Sequence, residues 1–304
     1  MEYRALRGGS GSVRVSVDGV KHHRGTSVEV KPFTLLLGPP GAGKSSFARA
    51  LYLAVWLAYG RRPDKLIPAV LAPPPERFCV GMGGSRVCWR GGGVDVEGGV
   101  PWSGAVLLPC DYYSKLRMMN ELGIVAATVV RGRLRSTGFG VLLGVAMKTL
   151  GEASFLGSLG LLASDLSHVY RGEHLLTPLG GLARIVNGAM KPVMERLMRG
   201  LNPSSSPTSV LAARALRSLL LDAPPLTLLV AEEPFLPLLG APDTVFAGEA
   251  AERVRRGEVY VVATLSLSHR EDAVRAAKRI LEGTGLQGSA AVYVFTGGGA
   301  ERVL

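Results

Sequence analysis

The sequence predicts an α/β fold: a mixed sheet wound round a phosphate-binding loop, with an antiparallel β subdomain and an inserted helical lid. Three observations predict it. Gly38-Pro39-Pro40-Gly41-Ala42-Gly43-Lys44-Ser45 matches G-x-x-x-x-G-K-[ST] at every position, with an apolar strand (Phe33 to Leu37) before it and a helical segment (Ser46 to Leu57) after it. Short segments with period-two alternation and glycine turns surround that core. Strand and helix patterns alternate again after residue 207, as a mostly parallel sheet requires.

In chain order, Val13 to Val17 alternates, and Ser27 to Val30 follows as its neighbour strand. The loop strand and helix 44–59 come next; Arg61-Arg62-Pro63-Asp64 ends the helix and Ala72-Pro73-Pro74-Pro75 makes a rigid linker. Short strands near Arg77–Val80, Ser85–Trp89 and Val94–Val96, parted by Gly81-Met82-Gly83-Gly84 and Gly91-Gly92-Gly93, form a meander of hairpins. Ala105 to Pro109 is a further strand. Residues 112–200 are rich in Leu, Met and Ala with helical spacing and read as an inserted helical subdomain; its methionines are flexible core filler. The tail reads helix 207–221, strand Leu226 to Ala231, strand Val259 to Thr264, helix Arg270 to Leu281 and strand Ala290 to Phe295. Three parts follow: residues 1–111 and 201–304 as two halves of one core, and 112–200 as the insert.

The loop's glycines allow backbone N–H groups to turn toward phosphate oxygens, and the next helix presents its positive end to the same anion. Gly38, Pro39, Pro40, Gly41, Ala42, Gly43, Lys44, Ser45 and Ser46 are therefore the expected cradle for ATP. Lys44 reaches the β- and γ-phosphates, and the Ser45 hydroxyl sits on Mg²⁺. Strand 226–231 ends in Glu232-Glu233-Pro234. A fold of this kind needs an acid at such a strand end to hold Mg²⁺, and a second acid beyond it can take a proton from water. Glu232 is assigned to the metal, and Glu233 to the base.

These residues resemble ABC-type ATPases of the SMC/RecF/OLD kind. The likeness rests on the strand pair leading through Leu37-Gly38 to Ser45-Ser46, on Glu232-Glu233-Pro234, and on Val262-Ala263-Thr264, where the family usually shows Thr-His-Ser. It covers roughly residues 1–60 and 200–295. It implies ATP held between two copies of the chain, with the serine-rich stretch Ser204 to Ser209 of one copy facing the γ-phosphate on the other. The chain departs from the family in four places: Glu232 stands for an Asp, Phe235 for a Glu, Leu265 for the switch histidine (His269 being a displaced substitute), and the serine stretch lacks the signature glycine. Asp111 is read either as a contact to Mg²⁺ or water, like the family's Q-loop residue, or as a turn residue.

The chain has 304 residues, 47% hydrophobic and 19% charged, which excludes global disorder. Mean hydropathy is +0.24, yet the longest apolar stretches are short or broken by Lys148 and Glu152, so no membrane span is expected. Arg4, Arg7 and Arg14 precede no apolar run, and a cytoplasmic protein is expected. Three cysteines give neither a disulfide framework nor zinc spacing; Cys79 and Cys88 can face each other across a hairpin, but free thiols are the favoured reading. His22-His23 lies in a turn without partner acids, and His168 and His174 read as surface or core residues.

Net charge is +11. Residues 1–62 carry ten Lys/Arg against three Asp/Glu, and residues 112–200 eleven against five. The basic insert, including the alternating Arg131, Arg133 and Arg135, suits DNA or an acidic protein partner, or is simply a solvated face. The leading reading is a Mg²⁺-dependent ATPase that dimerises on ATP. The alternatives are a non-hydrolysing nucleotide sensor that binds a partner, and a P-loop kinase, which the 188-residue separation of Lys44 and Glu232 and the Glu232-Glu233-Pro234 exit disfavour.

Overall fold

Two sheets sandwich the helix that follows the glycine-rich loop. The computed structural model describes residues 11–71, 73–108, 216–217, 220–221, 223–234, 245–297 and 299–304. The strands are β1 (Val13–Asp18), β2 (Thr26–Val30), β3 (Phe33–Gly38), β4 (Arg77–Met82), β5 (Ser85–Arg90), β6 (Gly93–Glu97), β7 (Gly104–Leu108), β8 (Thr227–Glu232), β9 (Val259–Ser266), β10 (Ala290–Phe295) and β11 (Ala300–Arg302). The helices are α1 (Lys44–Ala58), α2 (Pro63–Val70), α3 (Glu249–Arg255) and α4 (Arg270–Thr284).

One sheet has the order β11-β10-β3-β9-β8-β7, parallel throughout except for β11 at its edge. Its central strands are apolar on both faces, as strands covered on both sides must be. β3, β8 and β10 are buried along their whole length. The other sheet is antiparallel, β2-β1-β4-β5-β6, and matches the predicted meander.

The side-chain alternation of a strand assigns each residue to a layer. Leu36, Leu228, Val230, Tyr260 and Val262 join α1, α2 and the antiparallel sheet in one core. Leu35, Leu37, Leu229, Ala231, Val261, Ala263 and Leu265 join α3 and α4 in the other. Each such leucine contributes about 1.5–3 kcal/mol through burial. The same period carries Glu232 and Thr264 to the α1 face at the ends of β8 and β9, where they are register partners.

Among the described residues, α2, α3, β11 and a short 3-10 turn at Gln287–Ser289 exceed the sequence reading. α2 starts with Pro63 in its first turn, where a missing N–H leaves no bond unmade, and it also carries Pro68. The cysteine expectation is corrected. Cys79 and Cys88 are register partners, with Cα atoms 4.1 Å apart, and they form a disulfide. The two-residue turn Gly83-Gly84 sets that register by pairing Met82 with Ser85. Residues 112–200, expected as a helical insert, lie outside the described residues.

Candidate functional site

The loop leaves β3 at Gly38 and enters α1 at Lys44. Gly38 has φ 139°, and a Cβ there would lie 2.5 Å from the Phe295 carbonyl oxygen. Only glycine lets the loop pass β10 this closely. Gly43 has φ 95° and caps α1. Its pro-chiral face is covered by two imidazoles: a Cβ would meet His22 Nε2 at 2.6 Å and His23 Nε2 at 2.7 Å. Pro39, Pro40 and Gly41 form the exposed crest, Ala42 and Ser46 are buried, and Ser45 is half-buried in the first turn of α1.

Lys44 is 4% exposed. Its ammonium donates to the Gly38 carbonyl at 2.8 Å and the Pro39 carbonyl at 2.9 Å. Burial lowers its pKa, and the negative charge of Glu233 partly offsets that. A buried ammonium held by neutral carbonyls inside a glycine loop is a site made for an anion, so the chain fits the phosphates of a nucleotide.

His23 fastens the loop from the β1–β2 turn. Its Nε2 lies 3.0 Å from the Gly43 carbonyl and its Nδ1 3.0 Å from Thr26 Oγ1. A carbonyl only accepts, so Nε2 carries the hydrogen. The ring packs edge-on against Phe47 and Phe295 and is 3% exposed. Burial lowers its pKa, the bond to Gly43 opposes this, and His22 and Lys21 add to the lowering.

Glu232 and Glu233 point to different partners. Both Glu232 oxygens accept from Arg49 of α1, Nε to Oε1 and Nη2 to Oε2, each at 2.6 Å. Glu233 turns out of the sheet with φ 51°, a left-handed value rare outside glycine. Its N–H donates to the Thr264 carbonyl and Oγ1, each at 3.1 Å. Its carboxylate accepts from the Ser266 N–H at 2.7 Å and the Ser266 hydroxyl at 2.6 Å. Ser266 is the register partner of Gly38, so Glu233 and the loop share one edge of the sheet.

Leu265, where the sequence led one to expect a switch histidine, is 1% exposed and packs in the α4 core. The strand's alternation turns it away from Glu233 and turns Ser266 toward it. His269 is exposed and caps α4 through its backbone, accepting from the Ala273 N–H at 3.1 Å. Asp111, Arg131, Arg133, Arg135, His168, His174, Ser204 to Ser209 and Phe235 lie outside the described residues. Among the described residues no three His, Cys, Asp or Glu gather as a metal cluster, and no helix is long and apolar enough to cross a membrane. A Mg²⁺ site here would draw on the Ser45 hydroxyl and on the nucleotide's own phosphates.

Sequence reasoning missed Arg49, His23 and Ser266. Arg49 stands five residues after Lys44, and a cation so placed in an apolar helix was the available signal. The double histidine of the turn was noticed but not connected to Gly43, because twenty residues separate His23 from it.

The loop after β3, the acids ending β8 and the strand β9 between them give a P-loop α/β fold with an antiparallel β subdomain. No family model matches the chain, and no curated protein does. Among solved structures it is similar to the recombination mediator protein RecF with ATP, of the RecFOR pathway, at 11% identity and TM-score 0.39, covering 98% of this chain and 100% of that one. A second RecF structure of that pathway, RecF-ATPrS, matches at 10% identity and TM-score 0.37, covering 97% and 99%. The SMC head domain from Thermotoga maritima matches at 13% identity and TM-score 0.37, covering 96% and 98%.

Proposed function

We propose that this chain binds ATP with Mg²⁺ at Gly38 to Ser45 and hydrolyses it, and that ATP draws two copies together to act on DNA or an acidic protein. The observation that supports this most is the convergence of Lys44 and Glu233. One is a buried cation facing two carbonyls, and the other is a carboxylate on the same sheet edge whose charge reaches it. Bound ATP with Mg²⁺ would supply the γ-phosphoryl group that water attacks, with ADP as the leaving group. Lys44 would exchange its carbonyl acceptors for phosphate oxygens, and Ser45 would offer its hydroxyl to the cation. His23 keeps the Gly43 carbonyl pulled back from the anion. Glu233 orients a water molecule and accepts its proton, while Ser266 and Thr264 hold the side chain in place.

The test is Lys44→Ala. Loss of a charge-assisted contact predicts about 10- to 100-fold weaker ATP binding by calorimetry, with an unchanged circular dichroism spectrum. Undiminished affinity overturns the reading. A second reading, nucleotide binding without turnover, draws support from Leu265 at the switch position and from Arg49 on Glu232. Phosphate release measured with and without DNA separates the two. A phosphorylated acceptor would instead favour a kinase.

A further inference from the structure

The sequence gives Glu232 the place of a metal-holding acid, but its carboxylate already has an occupant. Arg49 meets it fork to fork, with two N–H···O contacts of 2.6 Å. The Glu232 side chain is 1% exposed and that of Arg49 29%. The remaining corner of the guanidinium, Nη1, donates to the Val70 carbonyl at 3.2 Å. One arginine on α1 therefore joins the end of α2 to the end of β8.

We infer that Arg49 removes Glu232 from the metal chemistry and makes it a clamp that positions α1, and with it the phosphate loop, against β8. Three arguments carry this. A bidentate pair uses the two oxygens in the plane where a carboxylate binds most strongly. The pair is neutral at close range, so an approaching dication meets a guanidinium as well as a carboxylate and gains little. Moving Arg49 aside would strand a half-buried guanidinium, whereas a buried pair that keeps both partners avoids that penalty. Glu233 carries no such partner: its oxygens accept only from Ser266 and Thr264 among the described residues, and its charge is the one that reaches Lys44. Glu232 is thus a positioning residue, and Glu233 is the acid of the pair that serves the nucleotide.

This deepens the proposed nucleotide site and rests on it. The experiment combines thermal melts without nucleotide and ATP calorimetry with Mg²⁺ and with EDTA, on full-length wild type, Glu232→Gln, Arg49→Ala and the double variant. Each single substitution is expected to lower the melting temperature by about 5 °C or more, and the double by much less than the sum. The Mg²⁺-dependent gain in ATP affinity should stay within about twofold of wild type in Glu232→Gln, since no metal ligand is lost. Additive melting effects, or a gain reduced about tenfold or more, overturn the inference. Arg49→Lys keeps the charge without the fork, so a folded protein with a lowered melting temperature and an intact Mg²⁺ gain supports the clamp even where Glu232→Gln does not fold. A wild type that binds no ATP removes the nucleotide reading, and the melting cycle still decides the clamp.

Discussion

Ser266 and Glu233 meet at the exit of the central sheet: the Ser266 backbone N–H and hydroxyl donate to the two oxygens of Glu233, at 2.7 and 2.6 Å. Ser266 also pairs with Gly38 along β3. The acid and the first glycine of the loop are therefore set by the same residue, two positions from the β9 threonine that holds the Glu233 backbone.

Glu233→Gln tests the role of that acid. The amide has the same shape and still accepts a bond from Ser266, so the fold and ATP binding should persist. Removing a general base lowers turnover by about 10²- to 10⁴-fold. ATP that is bound but not cleaved should accumulate a nucleotide-dependent dimer, read by light scattering alongside phosphate release. Hydrolysis at the wild-type rate would move the proton-accepting role to another group, with His269 and Asp111 as the next to substitute.

His23 makes the stability of the loop depend on pH. Burial lowers its folded pKa below the ordinary imidazole value of about 6.5. The unfolded chain then binds the proton more readily, so the stabilisation is full above about pH 6.5 and declines as pH falls toward the folded value. One such group changes stability by at most about 1.4 kcal/mol per pH unit in that window. His23→Gln should flatten the dependence of melting temperature on pH between about 7.5 and 5. An unchanged slope would place the proton elsewhere.

The parts of this fold that follow from local pattern were legible in the sequence, and those set by register or by distant contacts were not. The glycine spacing announced the loop, and the apolar runs at 33–37 and 226–231 announced β3 and β8, because strands buried on both faces leave little room for polar residues. α2 escaped because Pro63 and Pro68 read as breakers, while packing of Leu66, Ile67 and Val70 into the α1 core holds the helix. The fork between Arg49 and Glu232 spans 183 residues and depends on β8 lying beside β9 with Glu232 on its α1 face. No spacing rule encodes such a contact. Ser266 was hidden for a related reason: the family pattern drew the eye to position 265, which the strand turns into the core.

The cross-strand disulfide gives a countable result. The chain has three cysteines, and Cys79 is bonded to Cys88 across the β4–β5 hairpin. Purified without reductant and denatured in a thiol reagent, each chain should show one titratable thiol, and three after reduction. The sequence separation is nine residues. Chain-entropy reasoning gives a loop of that size about 2–3 kcal/mol, so reduction should lower stability by no more than that. Three thiols before reduction would restore the free-cysteine reading made from composition.

The basic insert invites a test that charge arithmetic cannot replace. Residues 112–200 carry eleven Lys/Arg against five Asp/Glu, in a segment that neither the loop nor Glu233 requires. If that excess contacts DNA, binding releases counterions, and affinity should fall steeply between about 50 and 200 mM salt. Fluorescence anisotropy with random duplex and single-stranded oligonucleotides, in the presence of ATP, reads this directly. Absence of binding at low salt removes nucleic acid and leaves an acidic protein as the partner. Replacing Arg131, Arg133 and Arg135 by Ala should cut three phosphate contacts at most, lowering the salt slope by about three units or fewer. Binding with an unaltered slope would move the contact to the other basic stretch, residues 1–62, where ten Lys/Arg face three Asp/Glu and the loop itself lies. In that case DNA and ATP would share one surface, and adding Mg²⁺-ATP should weaken the DNA contact.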